Sequence, residues 1–149
     1  NYKYNLILED DAILDTKFME SLEKGLNQLP ENYDMLFIGD GGGIHINDYR
    51  LNVEDRSEIQ ENKFIYKKSI MPSRSWGGVT RCTDSYLISK KCVKNIMHHI
   101  SQLGPMSICD PADWWLKRVA QILNLEGYWL EPTIVTQGSV NGTYTSSLR

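Results

Sequence analysis

Long apolar runs are missing from this sequence, and the longest uninterrupted ones span only a few residues. That excludes a membrane-spanning helix, and no basic-then-apolar stretch reads as a signal peptide. Cysteine is scarce. Cys82, Cys92 and Cys109 are odd in number and include no C-x-x-C pair, which excludes a disulfide framework and a zinc knuckle. They are expected to be reduced and packed as small hydrophobes. Charge of one sign is lacking too: 16 basic residues are interspersed with 19 acidic ones, for a net charge of -3. No polybasic stripe is left to hold a nucleic-acid backbone. Repeats, low-complexity tracts and linker-like stretches are absent.

What is present suits one globular domain. The chain has 149 residues, of which 41% are apolar, enough to bury a core without metals or disulfides. Tyr4–Leu8 is a short apolar run that reads as a buried strand. From Asp15, Phe18, Leu22, Leu26 and Leu29 recur at helix-face spacing until Pro30 stops them. Met35 to Ile38 form a second strand, closed by Gly39-Asp40-Gly41-Gly42-Gly43. Residues 44–62 read as a polar surface excursion, and Phe64-Ile65-Tyr66 as a further strand. After the turn-rich loop 72–78, an extended stretch leads to Ser89, which can cap a helix carrying Val93, Ile96, Met97, Ile100 and Leu103. Asp110-Pro111 opens another helix, with the acid at N-cap and the proline at the first helical position. Gly127 releases that helix into strands at Tyr128-Trp129-Leu130 and Ile134-Val135. Strands and helices alternate, so the fold class is α/β.

The strongest chemical signal is Glu9-Asp10-Asp11, directly after the first strand. Three successive carboxylates repel one another and need solvent, a cation or hydrogen-bond donors. At the carboxyl end of a strand they also sit where open α/β sheets bind ligands, and hard oxygen donors suit Mg²⁺ or Mn²⁺. A solvated acidic turn leading into the Asp15 cap explains them equally well. Asp110 and Asp113 form a second acidic pair. Both favour a helix N-terminus electrostatically, and Asp113, beside Trp114 and Trp115, is equally placed to act as a general base facing a sugar. Gly41-Gly42-Gly43 lacks the lysine and Ser/Thr of a phosphate-binding loop and reads as a turn. His98 and His99 are about 100° apart on their helix and cannot share an ion. Trp76, in a glycine-rich loop, is the best exposed candidate for stacking on a sugar, whereas Trp115 and Trp129 read as core.

Taken in order, five segments resemble glycosyltransferase family 25, whose members include bacterial lipooligosaccharide and collagen galactosyltransferases. They are Ile7-Leu8-Glu9-Asp10-Asp11-Ala12, the strand from Asp34 to Gly39, Thr83-Asp84-Ser85-Tyr86-Leu87-Ile88-Ser89, Asp110-Pro111-Ala112-Asp113, and Glu131-Pro132-Thr133-Ile134-Val135-Thr136-Gln137. The resemblance implies a GT-A-like α/β/α sandwich with a central, mostly parallel mixed sheet. It also implies transfer of galactose or glucose, with inversion, from a UDP-sugar to a hydroxyl of a glycan or glycoprotein. Asp11 and Glu9 would bind Mn²⁺ or Mg²⁺, Glu9 alternatively the ribose, with Asp10 assisting. Trp76, Gly77 and Gly78 would lie near the sugars. Asp113 would be the base, with Asp110 the fallback. Residues 1–149 are then one glycosyltransferase-like domain. Only eight residues precede Glu9 where the family carries a further stretch, which leaves the domain open to being incomplete at its N-terminus.

A metal-dependent glycosyltransferase is therefore the leading expectation. The alternative is a degenerate domain of the same kind, serving as a non-catalytic binding or scaffold module. A Mg²⁺-dependent phosphatase ranks last, because no phosphate-binding lysine lies near the acidic run. The expected partners are a nucleotide-sugar donor and a glycan or glycoprotein acceptor, with no nucleic acid and room for peripheral membrane contact. The expected location is the cytoplasm, or the endoplasmic reticulum for a relative of the animal collagen type.

Overall fold

A computed structural model describes residues 3–40, 62–67 and 83–145 of the chain. Within them, seven strands and three helices follow in the order β1 (Tyr4–Leu8), β2 (Ala12–Leu14), α1 (Phe18–Gln28), β3 (Met35–Phe37), β4 (Ile65–Lys67), β5 (Ser85–Ser89), α2 (Lys90–Leu103), α3 (Ala112–Ile122), β6 (Gly127–Leu130) and β7 (Val135–Gln137). Five strands form one sheet in the order β1-β5-β3-β6-β4, and β2 pairs with β7 in a separate ribbon.

The period-2 alternation of strand side chains divides the core into two layers. Met35 and Phe37 of β3 join Ile88, Trp129, Cys92, Leu116 and Val119 on the face covered by α2 and α3. Leu36 and Ile38 point the other way, to Leu87, Leu130, Phe18 and Leu22, under α1. The result is the expected α/β/α sandwich. Gly25 lets α1 approach closely, since a Cβ there would overlap the Leu130 side chain.

The sheet is mixed, as expected, yet of its four described strand ladders only β3–β6 is parallel; β1–β5, β3–β5 and β4–β6 are antiparallel. β1, β3 and β6 do share one direction, but β5 is inserted between β1 and β3 and runs against both. Short apolar runs report burial, not direction, so the expectation of a mostly parallel sheet could not be tested at the level of sequence. β1 also differs from its reading as a buried strand. It is the first strand of the sheet, and Leu6, Ile7 and Leu8 are each about two-fifths exposed. β2, not foreseen, is defined by its ladder to β7, in which Ala12 faces Gln137 and Leu14 faces Val135.

The helix signals fare unevenly. Ser89 caps α2 as expected, its hydroxyl accepting the Cys92 N–H at 3.1 Å. Gly104 ends that helix at φ 79°, a left-handed geometry that glycine adopts without strain. α3, in contrast, has Pro111 at the N-cap, and Asp110 stands outside the helix. Cys92 is fully buried, as expected, and burial pushes its thiol up to about 12. Cys109 is exposed rather than packed, and Cys82 lies outside the described residues. No described helix is long and apolar enough to cross a membrane.

Candidate functional site

The pairing brings several chain segments to one end of the sheet. Leu8 pairs with Ser85 and Phe37 with Tyr86, so β1 and β3 finish where β5 begins. Glu9 follows β1, Gly39-Asp40 follow β3, and Asp84 precedes β5. Backbone bonds fix these ends to each other: the Glu9 N–H donates to the Asp84 carbonyl at 2.8 Å, and the Asp40 N–H to the Val135 carbonyl at 3.0 Å. Beyond β7, the Gly138 N–H donates to the Asp11 carbonyl at 2.9 Å.

Within the acidic run the three carboxylates have different surroundings. Glu9 is exposed, and Gln137 Nε2 donates to its Oε2 at 3.0 Å. Its pKa is nonetheless raised, first by partial burial and then by Asp11, with Asp10 and Asp113 adding repulsion and the Gln137 bond opposing. Asp11 is half-buried. Its Oδ2 accepts from both the backbone N–H (3.1 Å) and the hydroxyl of Ser139, while its Oδ1 is buried with no hydrogen-bond partner among the described residues. Asp10 is exposed to solvent. Gly138 lets the Tyr144 ring pack closely on this turn, since a Cβ there would overlap it.

Asp113, at the start of α3, lies within electrostatic reach of Glu9 although 104 residues separate them in sequence. Its Oδ1 accepts the Trp114 N–H at 2.9 Å. Trp114 itself is 52% exposed, with the Lys117 ammonium 5.3 Å from its ring centroid. Asp110 is engaged elsewhere: Arg118 Nη1 lies 2.8 Å from its Oδ2. This pair explains why Asp110 is not the helix cap, since its carboxylate turns to the guanidinium instead of the first-turn N–H groups. Trp115 is half-buried, with Nε1 donating to the Ser107 carbonyl at 3.1 Å, and Trp129 is in the core. Trp76, Gly77 and Gly78 lie outside the described residues, as do Gly41-Gly42-Gly43 and most of the polar excursion.

Two acids at this end escaped the sequence reading. Asp84 is only 1% exposed, and its Oδ1 has no hydrogen-bond partner among the described residues, while Oδ2 accepts from the Ser85 hydroxyl at 3.1 Å. Burial pushes its carboxyl up to about 6, with the charges of Asp40 and Glu9 adding to the effect and the Ser85 bond opposing it. Asp40, half-buried, is the other. The signal that could have found them is Gly39: any Cβ there would overlap the Asp84 carboxylate and the Ser85 hydroxyl. A glycine ending a buried strand marks such a close approach.

The donor set fits a hard divalent cation. Among the described residues no three Asp, Glu, His or Cys side chains converge as an ion-binding group. Mg²⁺ and similar ions are commonly held by one or two carboxylates, with waters and substrate phosphates completing the shell. Asp11, oriented by Ser139 and with an Oδ1 that has no partner among the described residues, and Glu9, whose pKa is raised by partial burial and by Asp11, could supply such a pair. An oriented carboxylate of this kind is what an outer hydrogen-bonding shell provides at metal sites.

No curated protein matches the chain. The family model for glycosyltransferase family 25 (LPS biosynthesis protein) matches residues 1–112. That stretch takes in the acidic run, Asp40, Asp84 and α2, and ends one residue before Asp113. The chain belongs to glycosyltransferase family 25, and its general role is glycosyl transfer from a donor to an acceptor.

Proposed function

We propose that the chain is a metal-dependent hexosyltransferase that moves galactose or glucose from a UDP-sugar to a hydroxyl of a glycan or glycoprotein, with inversion. What supports this reading is the gathering of Glu9, Asp11, Asp40 and Asp84 where β1 and β3 end, with the charge of Asp113 felt at Glu9. A base and a cation seat would then share one end of the sheet. Asp11 and Glu9 would hold Mn²⁺ or Mg²⁺, which when bound neutralises the charge that develops on the departing diphosphate. Asp10 would contribute to the field that attracts the cation.

Asp113 performs the proton transfer. With Oδ1 accepting the Trp114 N–H, Oδ2 takes the proton of the acceptor hydroxyl as its oxygen bonds to the sugar C1. The C1–O bond to UDP breaks on the opposite side, and the electron pair leaves with the diphosphate. Inversion follows from attack opposite the leaving group. The exposed Trp114 ring, one residue from the base, offers an apolar face for a pyranose.

Titration of tryptophan fluorescence with UDP-galactose and UDP-glucose, with and without Mn²⁺, tests the donor half. Saturable, Mn²⁺-dependent quenching is expected, and Asp11→Asn should abolish it. A folded protein that binds neither nucleotide sugar would favour the alternative of a non-catalytic module.

A further inference from the structure

β1 closes one side of the sheet, and no described strand lies beyond it. The bonds at its two ends fix which way its backbone groups point. The Glu9 N–H donates to the Asp84 carbonyl, and the Lys3 carbonyl accepts the Lys90 N–H. Both pairs extend the register in which Tyr4 faces Ser89 and Leu8 faces Ser85. Bonded and non-bonded pairs alternate along an antiparallel ladder. Asn5 and Ile7 therefore bond to β5, while Tyr4, Leu6 and Leu8 turn their N–H and C=O groups the other way, to the open edge.

That edge is unprotected. Proteins blunt such edges with lysine, proline, a bulge or a covering element, and Tyr4-Asn5-Leu6-Ile7-Leu8 carries neither of those residues. Leu6 and Leu8 lie on one face and Ile7 on the other, and each is about two-fifths exposed, so both faces of the strand are partly bare. β4, on the opposite side of the sheet, differs: it has three residues, and Ile65 and Tyr66 are buried. A row of outward backbone groups flanked by exposed apolar side chains is a template for another strand.

The residues around β1 indicate which strand fits. Read about Leu6, the segment is complementary to itself. Against an antiparallel copy, Tyr4 falls opposite Leu8, Asn5 opposite Ile7, and Lys3 opposite Glu9. In that register the outward groups of Tyr4, Leu6 and Leu8 meet the same groups of the copy, and every N–H finds a C=O. Lys3 and Glu9, both exposed, then form a non-bonded pair, the kind in which side chains approach most closely. A shift of two residues either way leaves outward groups unpaired and sets Lys3 against Ile7, or Glu9 against Asn5.

We propose that β1 pairs with β1 of a second copy of this chain, antiparallel about a two-fold axis at Leu6, and joins the two sheets into one. The contact is isologous and closes on itself, which removes the open edge without starting a filament. Two five-residue strands make a small interface, so the dimer is reversible and follows protein concentration. Each protomer receives the partner's Lys3 beside its own Glu9, at the acidic end of the sheet.

Analytical ultracentrifugation of the full chain in metal-free buffer, over a wide concentration range, tests this together with amide hydrogen exchange. A monomer–dimer equilibrium is expected. The Leu6 and Leu8 amides should exchange fast in the monomer and slowly in the dimer, whereas those of Asn5 and Ile7 stay slow in both. Leu6→Lys sets two like charges against each other on the axis and should abolish the dimer. Lys3→Glu should weaken it about tenfold through two like-charged pairs, and Lys3→Glu combined with Glu9→Lys should restore it. A monomer at every concentration overturns the proposal, as does a dimer that survives Leu6→Lys or a charge reversal that the double exchange fails to rescue. Slow exchange of Leu6 and Leu8 in the monomer overturns it as well, since the edge would then be covered from within the chain.

Discussion

Where β1 ends, Glu9, Asp11, Asp40 and Asp84 come together and Asp113 approaches from α3; where β1 starts, Lys3, Lys90 and Lys91 crowd the first turn of α2. Both ends gather like charges, but they handle them differently. The lysines stay on exposed side chains where water screens them, and one has a partner in Asp34. The acids are graded by depth, from exposed Glu9 through half-buried Asp11 to fully buried Asp84, and the deepest carries the largest upward shift. Charge at the lysine end is inexpensive to keep. At the acidic end it is held against desolvation and repulsion, a cost a fold sustains where the site is used.

The largest effect expected at the acidic end is on chemistry. Asp113→Asn keeps the shape of the side chain and its bond to the Trp114 N–H but cannot take a proton. Transfer should fall by about 10²–10⁴-fold, the usual contribution of a positioned base, while Mn²⁺-dependent UDP-sugar binding is retained. Transfer at the wild-type rate would remove Asp113 from the mechanism and leave the acidic end as a binding feature alone.

The next largest effect is on folding. Gly39→Ala places a methyl where the Asp84 carboxylate and the Ser85 hydroxyl lie. β3 is buried on both faces, so it cannot move aside, and overpacking of this kind costs about 3 kcal/mol. Urea denaturation should show it as a lower midpoint with an unchanged slope. A similar lysine-end substitution, Lys90→Ala, should barely move that midpoint.

Asp84 sharpens the comparison through pH. Its carboxyl titrates near 6 in the folded protein against about 3.9 in an unfolded chain, so the native state binds the proton more tightly. Stability is then greatest below about pH 4 and is lost as pH rises through 6, by on the order of 2–3 kcal/mol from this one group. In metal-free buffer Asp84→Asn should match the wild type at pH 4 and exceed it at pH 7. Urea midpoints measured across that interval would check both the sign and the window.

Much of this arrangement was legible in the sequence, for identifiable reasons. Phe18 and Leu22 declared α1 by their spacing, and Ser89 and Gly104 marked the ends of α2, because caps and periodicity are local signals. Glu9 and Asp11 were visible because with Asp10 they form a run of three acids, and Asp113 because it stands beside two tryptophans. Asp40 and Asp84 were hidden: each sits beside turn residues, where an acid is ordinary, and only the pairing of β3 with β5 brings them together. β2 was missed since Ala12–Leu14 has too few residues to show a period, and its strand character comes from β7, more than a hundred residues away. The direction of β5 was equally non-local. Asp110 misled for the opposite reason. Its local context, an acid before a proline, is a strong cap signal, and the Arg118 guanidinium, two turns along α3, overrode it.

That override leads to the smallest expected effect. Asp110 and Arg118 form a close pair, yet both are well exposed, and exposed ion pairs contribute little once side-chain ordering and solvent screening are counted. Had Asp110 been the cap, its removal would strip a hydrogen bond from the first turn of α3 and shift the unfolding midpoint clearly. With Pro111 at that position, Asp110→Asn should leave the urea midpoint within replicate scatter. It should also leave sugar transfer near the wild-type level, since Asp113 and not Asp110 approaches Glu9. A large loss of transfer in Asp110→Asn with Asp113→Asn unimpaired would exchange the two roles, and the base would then have to be released by Arg118 before it could act.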